Sequence, residues 1–318
     1  MREDEILEGI RAHDRRALAK MLSICENDPN LANVILDKLE KKRSHVIGIT
    51  GSPGVGKSTL INAILDKMNQ GVGENVNSIK DMGTITNKKK IGVIVVDPSS
   101  PFTGGALLGD RVRMQSHATE EDFFIRSFAN RGALGGLSPS IYEACDAFEA
   151  FGMDNVIIET VGVGQSEVEI TNIADTVVVV LSPDNGDEVQ MLKAGLMEIA
   201  DLFVINKADN PRSQILLSRL RKMIITGDKN VGICLTNAVT GEGVEKLIKE
   251  LDDRFFQILS NGVFSLKRKK RLLHHAQSIV RRELDELIQK FENDGTELKE
   301  IKKRLLEELC RKAHKNGS

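Results

Sequence analysis

At 318 residues the chain is long enough for one large domain with extensions or two small ones, and 41% hydrophobic with 28% charged residues is ordinary for a globular protein. A net charge of -2 gives no electrostatic case for a nucleic-acid or membrane partner, and with no Trp, one Tyr and 11 Phe the chain is short of base-stacking platforms. Cys25, Cys145, Cys234 and Cys310 have neither metal-ligand nor redox spacing and read as reduced thiols. Residues Met1–Leu7 are acidic and mixed, unlike a signal or transit peptide. No apolar run reaches membrane length, so the expected location is cytoplasmic.

Residues 2–43 follow a helical period. Ile6, Leu7 and Ile10 share a face, and after a break at His13-Asp14, with Asp14 as N-cap, Leu18, Met21, Leu22 and Cys25 continue it. Asp28-Pro29 marks a turn, and a third helix is expected to carry Leu31, Val34, Ile35 and Leu39. The texture then changes to short β-branched runs at 46–50, 91–96, 156–158, 176–181, 202–205 and 231–235, many of them separated by helical patterns. Continuous apolar strands alternating with helices predict an α/β fold with a mostly parallel, doubly wound sheet covered on both faces. Between Asn69 and Lys90 lies a Gly/Asn/Lys-rich stretch expected at the surface. From about Phe255 the pattern is helical again, broken at Asp294-Gly295. The organisation expected is therefore an N-terminal helical extension (1–43), a nucleotide-binding domain (44–254) and a C-terminal helical arm (255–318).

Gly51, Ser52, Pro53, Gly54, Val55, Gly56, Lys57 and Ser58 match the P-loop pattern in full, directly after one predicted strand and before a predicted helix from Thr59 to Met68. The glycines let backbone N–H groups turn inward around phosphates, and the helix N-terminus adds a favourable dipole. Lys57 is expected to reach the β- and γ-phosphates, and the Ser58 hydroxyl to ligate Mg²⁺. Thr59, the next residue, is counted with this phosphate loop.

Asn206-Lys-Ala-Asp209 follows the predicted strand 202–205 and has the guanine-reading pattern. The Asp209 carboxylate accepts from two guanine N–H groups that adenine lacks, so ATP would leave it unpaired. Lys207 is expected to pack its stem along the base, and Asn206 to tie this loop to the P-loop. Thr236, Asn237 and Ala238 end another strand and form the second base-side loop, where the Ala238 backbone can meet guanine O6.

Three acids fall at or near the carboxyl edge of the sheet, where nucleotide sites form. Asp97 precedes Pro98-Ser-Ser-Pro101, Asp110 precedes Arg-Val-Arg-Met114, and Glu159 opens Glu-Thr-Val-Gly-Val-Gly-Gln-Ser-Glu167. Mg²⁺ needs few hard oxygens besides water, so Ser58 with one to three of these carboxylates suffices. The plainer alternatives, second to the metal reading, are a helix N-cap for Asp110 and a salt-bridged strand end for Glu159. Gly162 and Gly164 free the following stretch to meet a γ-phosphate through backbone N–H groups. Gln165 reads either as the residue that positions attacking water or as a solvated loop residue. Residues 182–188, with Lys193 beyond, read as a second mobile segment or as a plain surface turn.

Together these motifs, with Gly104-Gly105, the run 107–114 and the run 131–137, resemble the methylmalonyl-CoA mutase-associated GTPases of the MeaB type, once catalogued as arginine/ornithine transport-system kinases. The resemblance runs from the N-terminal helices through the nucleotide domain. It implies a chaperone that binds GTP and Mg²⁺, hydrolyses GTP slowly on its own, and gates adenosylcobalamin loading of an acyl-CoA mutase while protecting it. It further implies a homodimer to which the C-terminal arm contributes. The positions matching Mg²⁺ ligands are Ser58, Asp97, Asp110 and Glu159, and Lys193 matches a switch-stabilising lysine. A nickel metallochaperone GTPase is the first alternative, but it wants a His/Cys site that His274-His275 and the scattered cysteines do not supply by spacing. A kinase linked to amino-acid transport is the second, and it wants ATP, against which Asn206–Asp209 argues.

Overall fold

The computed structural model of the protein describes residues 2–72, 88–97, 120–129, 137–138, 140–160, 166–184, 195–225, 231–291, 303–304 and 306–307. At the N-terminus, short polar caps set the helix boundaries. Helix α1 (Glu3–Arg11) is followed by α2 (Arg15–Asn27), whose N-cap Asp14 accepts the Arg16 amide at 2.8 Å, and by α3 (Pro29–Leu36), whose N-cap Asp28 accepts the Leu31 amide at 3.1 Å. Pro29 occupies the first helical position, where its missing N–H costs nothing.

The apolar faces of α1 and α2 are those expected: Ile6, Leu7, Ile10, Leu18, Met21, Leu22 and Cys25 are all buried. In α3 the expectation is corrected. Ala32, Ile35 and Leu36 are buried, whereas Leu31 and Val34 are 38% and 51% exposed, and the helix stops at Leu36. Helix α3 packs against α5 (Ser140–Ala150) and α2, with Ala32, Ile35 and Leu36 in the core cluster they share, and Leu39 is buried just past the helix end. Asn33 Nδ2 reaches Glu143 Oε1 of α5 at 3.2 Å from the same side.

The described strands form one seven-stranded, all-parallel sheet: β1 (His45–Thr50), β2 (Ile91–Asp97), β3 (Phe123–Ala129), β4 (Asn155–Glu159), β5 (Thr176–Leu181), β6 (Leu202–Ile205) and β7 (Gly232–Leu235). Their order is β3-β2-β4-β1-β5-β6-β7, so the chain runs from β1 through β2 to the edge strand β3, returns to β4 beside β1, and then winds outward through β5, β6 and β7 on the other side. Six strands stand where the apolar runs predict them. β3 is the addition. Arg126 and Ser127 interrupt its apolar run, which hides it from a search for continuous hydrophobic strands. An edge position tolerates them, and Arg126 Nη2 meets Ser23 Oγ and Glu26 Oε2 of α2 at 3.2 and 3.4 Å.

Side-chain alternation divides the core across the sheet. Val46, Val177 and Val179 join the cluster built with α1–α3, α5 and α6 (Ser166–Ile173). Ile47, Ile49, Val178 and Val180 join the other, with α4 (Lys57–Asn69) and residues further along the chain. After the short α7 (Met197–Ile199) come α8 (Arg212–Ile225), α9 (Val244–Ser260) and α10 (Val263–Phe291). Helix α9 packs beside α4, and Lys67 Nζ bridges to Glu245 Oε1 at 2.7 Å.

The chain divides into two compact units, Met1–Lys267 and Arg268–Ser318. The N-terminal helices belong to the first unit with the sheet, and the boundary expected at 254/255 falls inside α9. Most of the stretch between Asn69 and Lys90, the break at Asp294-Gly295 and most of the last predicted helix lie outside the described residues. Among the described residues no helix is long and apolar enough to cross a membrane.

Arg15 at the start of α2 joins the N-terminal helices to the sheet edge. Its Nη1 donates to the carbonyls of Glu120, Glu121 and Phe123 at 2.9, 2.9 and 2.8 Å, and its guanidinium lies 5.2 Å from the Phe124 ring centroid. Arg15→Ala is expected to cost roughly 1.5–3 kcal/mol, the range for hydrogen bonds to a charged donor. Urea unfolding followed by circular dichroism measures it, and an unchanged midpoint would show that water replaces the guanidinium at no cost.

Candidate functional site

The phosphate loop leaves the carboxyl end of β1, which lies between β4 and β5 near the middle of the sheet. Its glycines are required where they stand. Gly51 has φ 141° and Gly56, the N-cap of α4, has φ 93°. A Cβ on Gly51 would run into the Val180 carbonyl oxygen, and one on Gly56 would lie 2.5 Å from Asn206 Nδ2. Lys57 opens α4 and is buried. Its Nζ donates to the carbonyls of Gly51 and Ser52 at 2.7 and 3.0 Å, so the loop closes around its own ammonium. Val55 is buried under the loop, and Gly54 has open space around it.

Glu159 ends β4 with Ile49 of β1 on one side and Val95 of β2 on the other. Its Oε1 accepts from Ser58 Oγ at 2.6 Å, which brings two hard oxygen donors together at the start of α4. Asp97 ends β2 two residues beyond Val95 and is 2% exposed. Among the described residues this donor set is a hydroxyl and carboxylates, hard oxygens of the kind Mg²⁺ takes. Among the described residues there is no group of three or more His, Cys, Asp or Glu placed to hold a metal ion. Asp110, Gly162, Gln165, Lys193 and residues 185–188 lie outside the described residues.

The base-side loops are joined by one buried amide. Asn206 Nδ2 donates to the Val55 carbonyl of the phosphate loop at 2.9 Å. Its Oδ1 accepts from the Ala238 amide at 3.0 Å and the Thr236 hydroxyl at 3.3 Å. A single side chain thus ties its own loop to two others, 151 and 30 to 32 positions away in sequence. Lys207 adopts a left-handed conformation, φ 56°. Ala208 N bonds the Thr236 carbonyl at 3.0 Å, and Asn237 Nδ2 donates to Asp209 Oδ1 at 2.9 Å, fixing the exposed Asp209 carboxylate from the second base-side loop.

Three contributors escape sequence reasoning. Thr160, buried after Glu159, donates its hydroxyl to Thr50 Oγ1 at 2.9 Å and so pins the start of the 159–167 stretch to the end of β1. Asp184 and Asn210 meet across the ends of β5 and β6 at 2.8 Å. Only the adjacency of those strands carries that signal, and no spacing in the sequence contains it.

The family described as "Methylmalonyl Co-A mutase-associated GTPase MeaB" matches residues 18–295. A Pyrococcus horikoshii protein named as a GTPase is 43% identical over 286 residues, 87% of this chain and 85% of its own. A Caenorhabditis elegans protein, "Methylmalonic aciduria type A homolog, mitochondrial", is 36% identical over 221 residues, 64% of this chain and 52% of its own. Among solved structures, a "LAO/AO transport system kinase" superposes with a TM-score of 0.67 at 22% identity over 96% of this chain and 97% of that one, a likeness of fold.

Proposed function

The chain belongs to the methylmalonyl-CoA mutase-associated GTPase family of the MeaB type, and from that premise we propose that its GTP cycle assists adenosylcobalamin loading and protection of an acyl-CoA mutase. The chain is a P-loop GTPase; the client, the Mg²⁺ ligands and the residue roles are the proposal. The observation that carries it is Asn206, whose side chain locks the guanine-reading loop onto the phosphate loop. That bond supports a single site in which base and phosphates are read together.

In this reading Lys57 neutralises charge on the β- and γ-phosphates while water attacks the γ-phosphate in line. Ser58, Asp97, Asp110 and Glu159 would hold Mg²⁺, which when bound would help neutralise the charge of the triphosphate. Gly162 meets the γ-phosphate, Gln165 orients the water, and Lys193 steadies the second switch segment. Gly51–Thr59 cradle the phosphates, and Lys207, Asp209, Asn237 and Ala238 surround guanine. Hydrolysis then acts as a timer, because a nucleotide moves the protein only by binding its two states unequally. A homodimer in the cytoplasm completes the reading, supported by the exposed Leu266, Leu272, Leu273 and Val280 of α10 and by the buried cysteines Cys25, Cys145 and Cys234, which form no disulfide among the described residues.

The test mixes the purified protein with the cobalamin-dependent acyl-CoA mutase of the same organism. The expected result is a stable complex and GTP hydrolysis faster by about tenfold or more, a barrier change of about 1.4 kcal/mol. Absence of both a complex and any rate change would overturn the mutase assignment. Transfer of the γ-phosphate to a protein acceptor in place of release as phosphate would instead favour the kinase alternative.

A further inference from the structure

Asp184 lies three residues beyond β5, in the 182–188 segment and outside the phosphate-loop and guanine motifs, yet both of its carboxylate oxygens are engaged by the guanine-reading turn. Oδ2 accepts from Lys207 Nζ at 2.9 Å and Oδ1 accepts from Asn210 Nδ2 at 2.8 Å. The Asp184 amide and Ser182 Oγ approach at 3.4 Å, which folds the carboxylate back toward its own strand end. Asn210 N in turn donates to the Lys207 carbonyl at 3.0 Å, and Asn210 Oδ1 accepts from Arg212 N at 3.0 Å. The carboxylate therefore grips both ends of the 207–210 turn that presents Asp209.

The sheet explains why it can reach. Leu181 and Ile205 are register partners, and Asn206 N donates to the Leu181 carbonyl at 2.9 Å, so the residues leaving β5 and β6 start side by side. The bond to Lys207, followed by those to Asn210 and Ser182, holds the Asp184 carboxyl below the usual range, so it stays ionised at neutral pH.

A lysine with a free ammonium has four mobile side-chain bonds, and pressing its stem against a base costs that freedom at the moment of binding. An ammonium already fixed at its tip has lost much of it beforehand. We propose that Asp184 is a positioning residue for guanine recognition, anchoring the Lys207 ammonium and the Asn210 amide so that the Lys207 stem and the Asp209 carboxylate are preset for the base. This rests on the reading of Asn206–Asp209 as the guanine loop.

Asp184→Ala is titrated with GDP and, separately, with tripolyphosphate, which has the phosphates but no base. GDP binding is expected to weaken about three- to tenfold, as suits a half-exposed but doubly bonded ion pair, with tripolyphosphate affinity and the unfolding midpoint unchanged. In a Lys207→Ala background the same substitution is expected to have a clearly smaller effect, because most of its action passes through that ammonium. Wild-type affinity for GDP in Asp184→Ala, an equal loss for tripolyphosphate, or full additivity with Lys207→Ala would each overturn the inference alone. Failure of the wild-type chain to bind GDP would overturn it together with the guanine reading.

Discussion

Lys57→Ala is expected to abolish measurable GTP hydrolysis, with a loss of at least about 10²-fold, the scale for removing one preorganised charge-stabilising donor. The structure makes this residue hard to replace. Its ammonium is buried and held by two carbonyls of the phosphate loop, so it is poised at the loop before any phosphate arrives. Binding then exchanges carbonyl partners for phosphate oxygens, which carry full charge and reward the ammonium more strongly. The alanine variant also leaves the Gly51 and Ser52 carbonyls to find other donors, so some loss of thermal stability accompanies the loss of activity. Single-turnover hydrolysis with radiolabelled GTP, alongside a melting curve, separates the two effects. Hydrolysis within a few-fold of wild type in a folded Lys57→Ala protein would refute the role given to the loop.

The second large effect is a change of base. Asp209→Asn is expected to weaken GDP binding roughly a hundredfold, because the variant presents an amide N–H₂ where guanine also presents donors. The same amide suits xanthine, whose C2 carbonyl accepts where guanine donates, so xanthosine diphosphate is expected to bind the variant better than it binds wild type. Competition against a fluorescent nucleotide reads both values. The Asn237 contact to Asp209 Oδ1 involves a side-chain amide that donates equally well to Asn, so the turn itself survives the substitution. Equal loss of GDP and xanthosine diphosphate would mean that Asp209 supports the loop without reading the base, and retained preference for GDP would remove it from the site.

The phosphate loop and the guanine tetrapeptide are legible in the sequence because each is contiguous. Their glycines, lysine, serine and acid stand at fixed offsets, and the flanking strands announce themselves as unbroken apolar runs. The cap Asp14 is legible for the same reason, since a cap acts two or three residues from where it stands, whereas Asp28 reads in the sequence only as part of a turn and its capping of α3 comes from the structure. β3 is not legible, because a strand that spends Arg126 on α2 departs from the continuous pattern that identifies its neighbours. The inward face of α3 is not legible either: two helical faces were apolar enough, and packing against α5 and α2 selected Ala32, Ile35 and Leu36 over Leu31 and Val34.

What the sequence alone determines is therefore the local pattern: a P-loop after a strand, an Asn-Lys-x-Asp turn after another, a parallel sheet to carry both. What only the tertiary structure decides is which loops act together. Val55 and Asn206 are 151 positions apart, Ser58 and Glu159 are 101 apart, and Asp184 and Lys207 are 23 apart, yet each pair is in hydrogen-bond contact. Those contacts depend on β1 lying between β4 and β5, and β6 beside β5. Strand order is a property of how crossovers pack on a sheet, so it cannot be read from any one segment, whereas a motif's backbone geometry is fixed by its own residues.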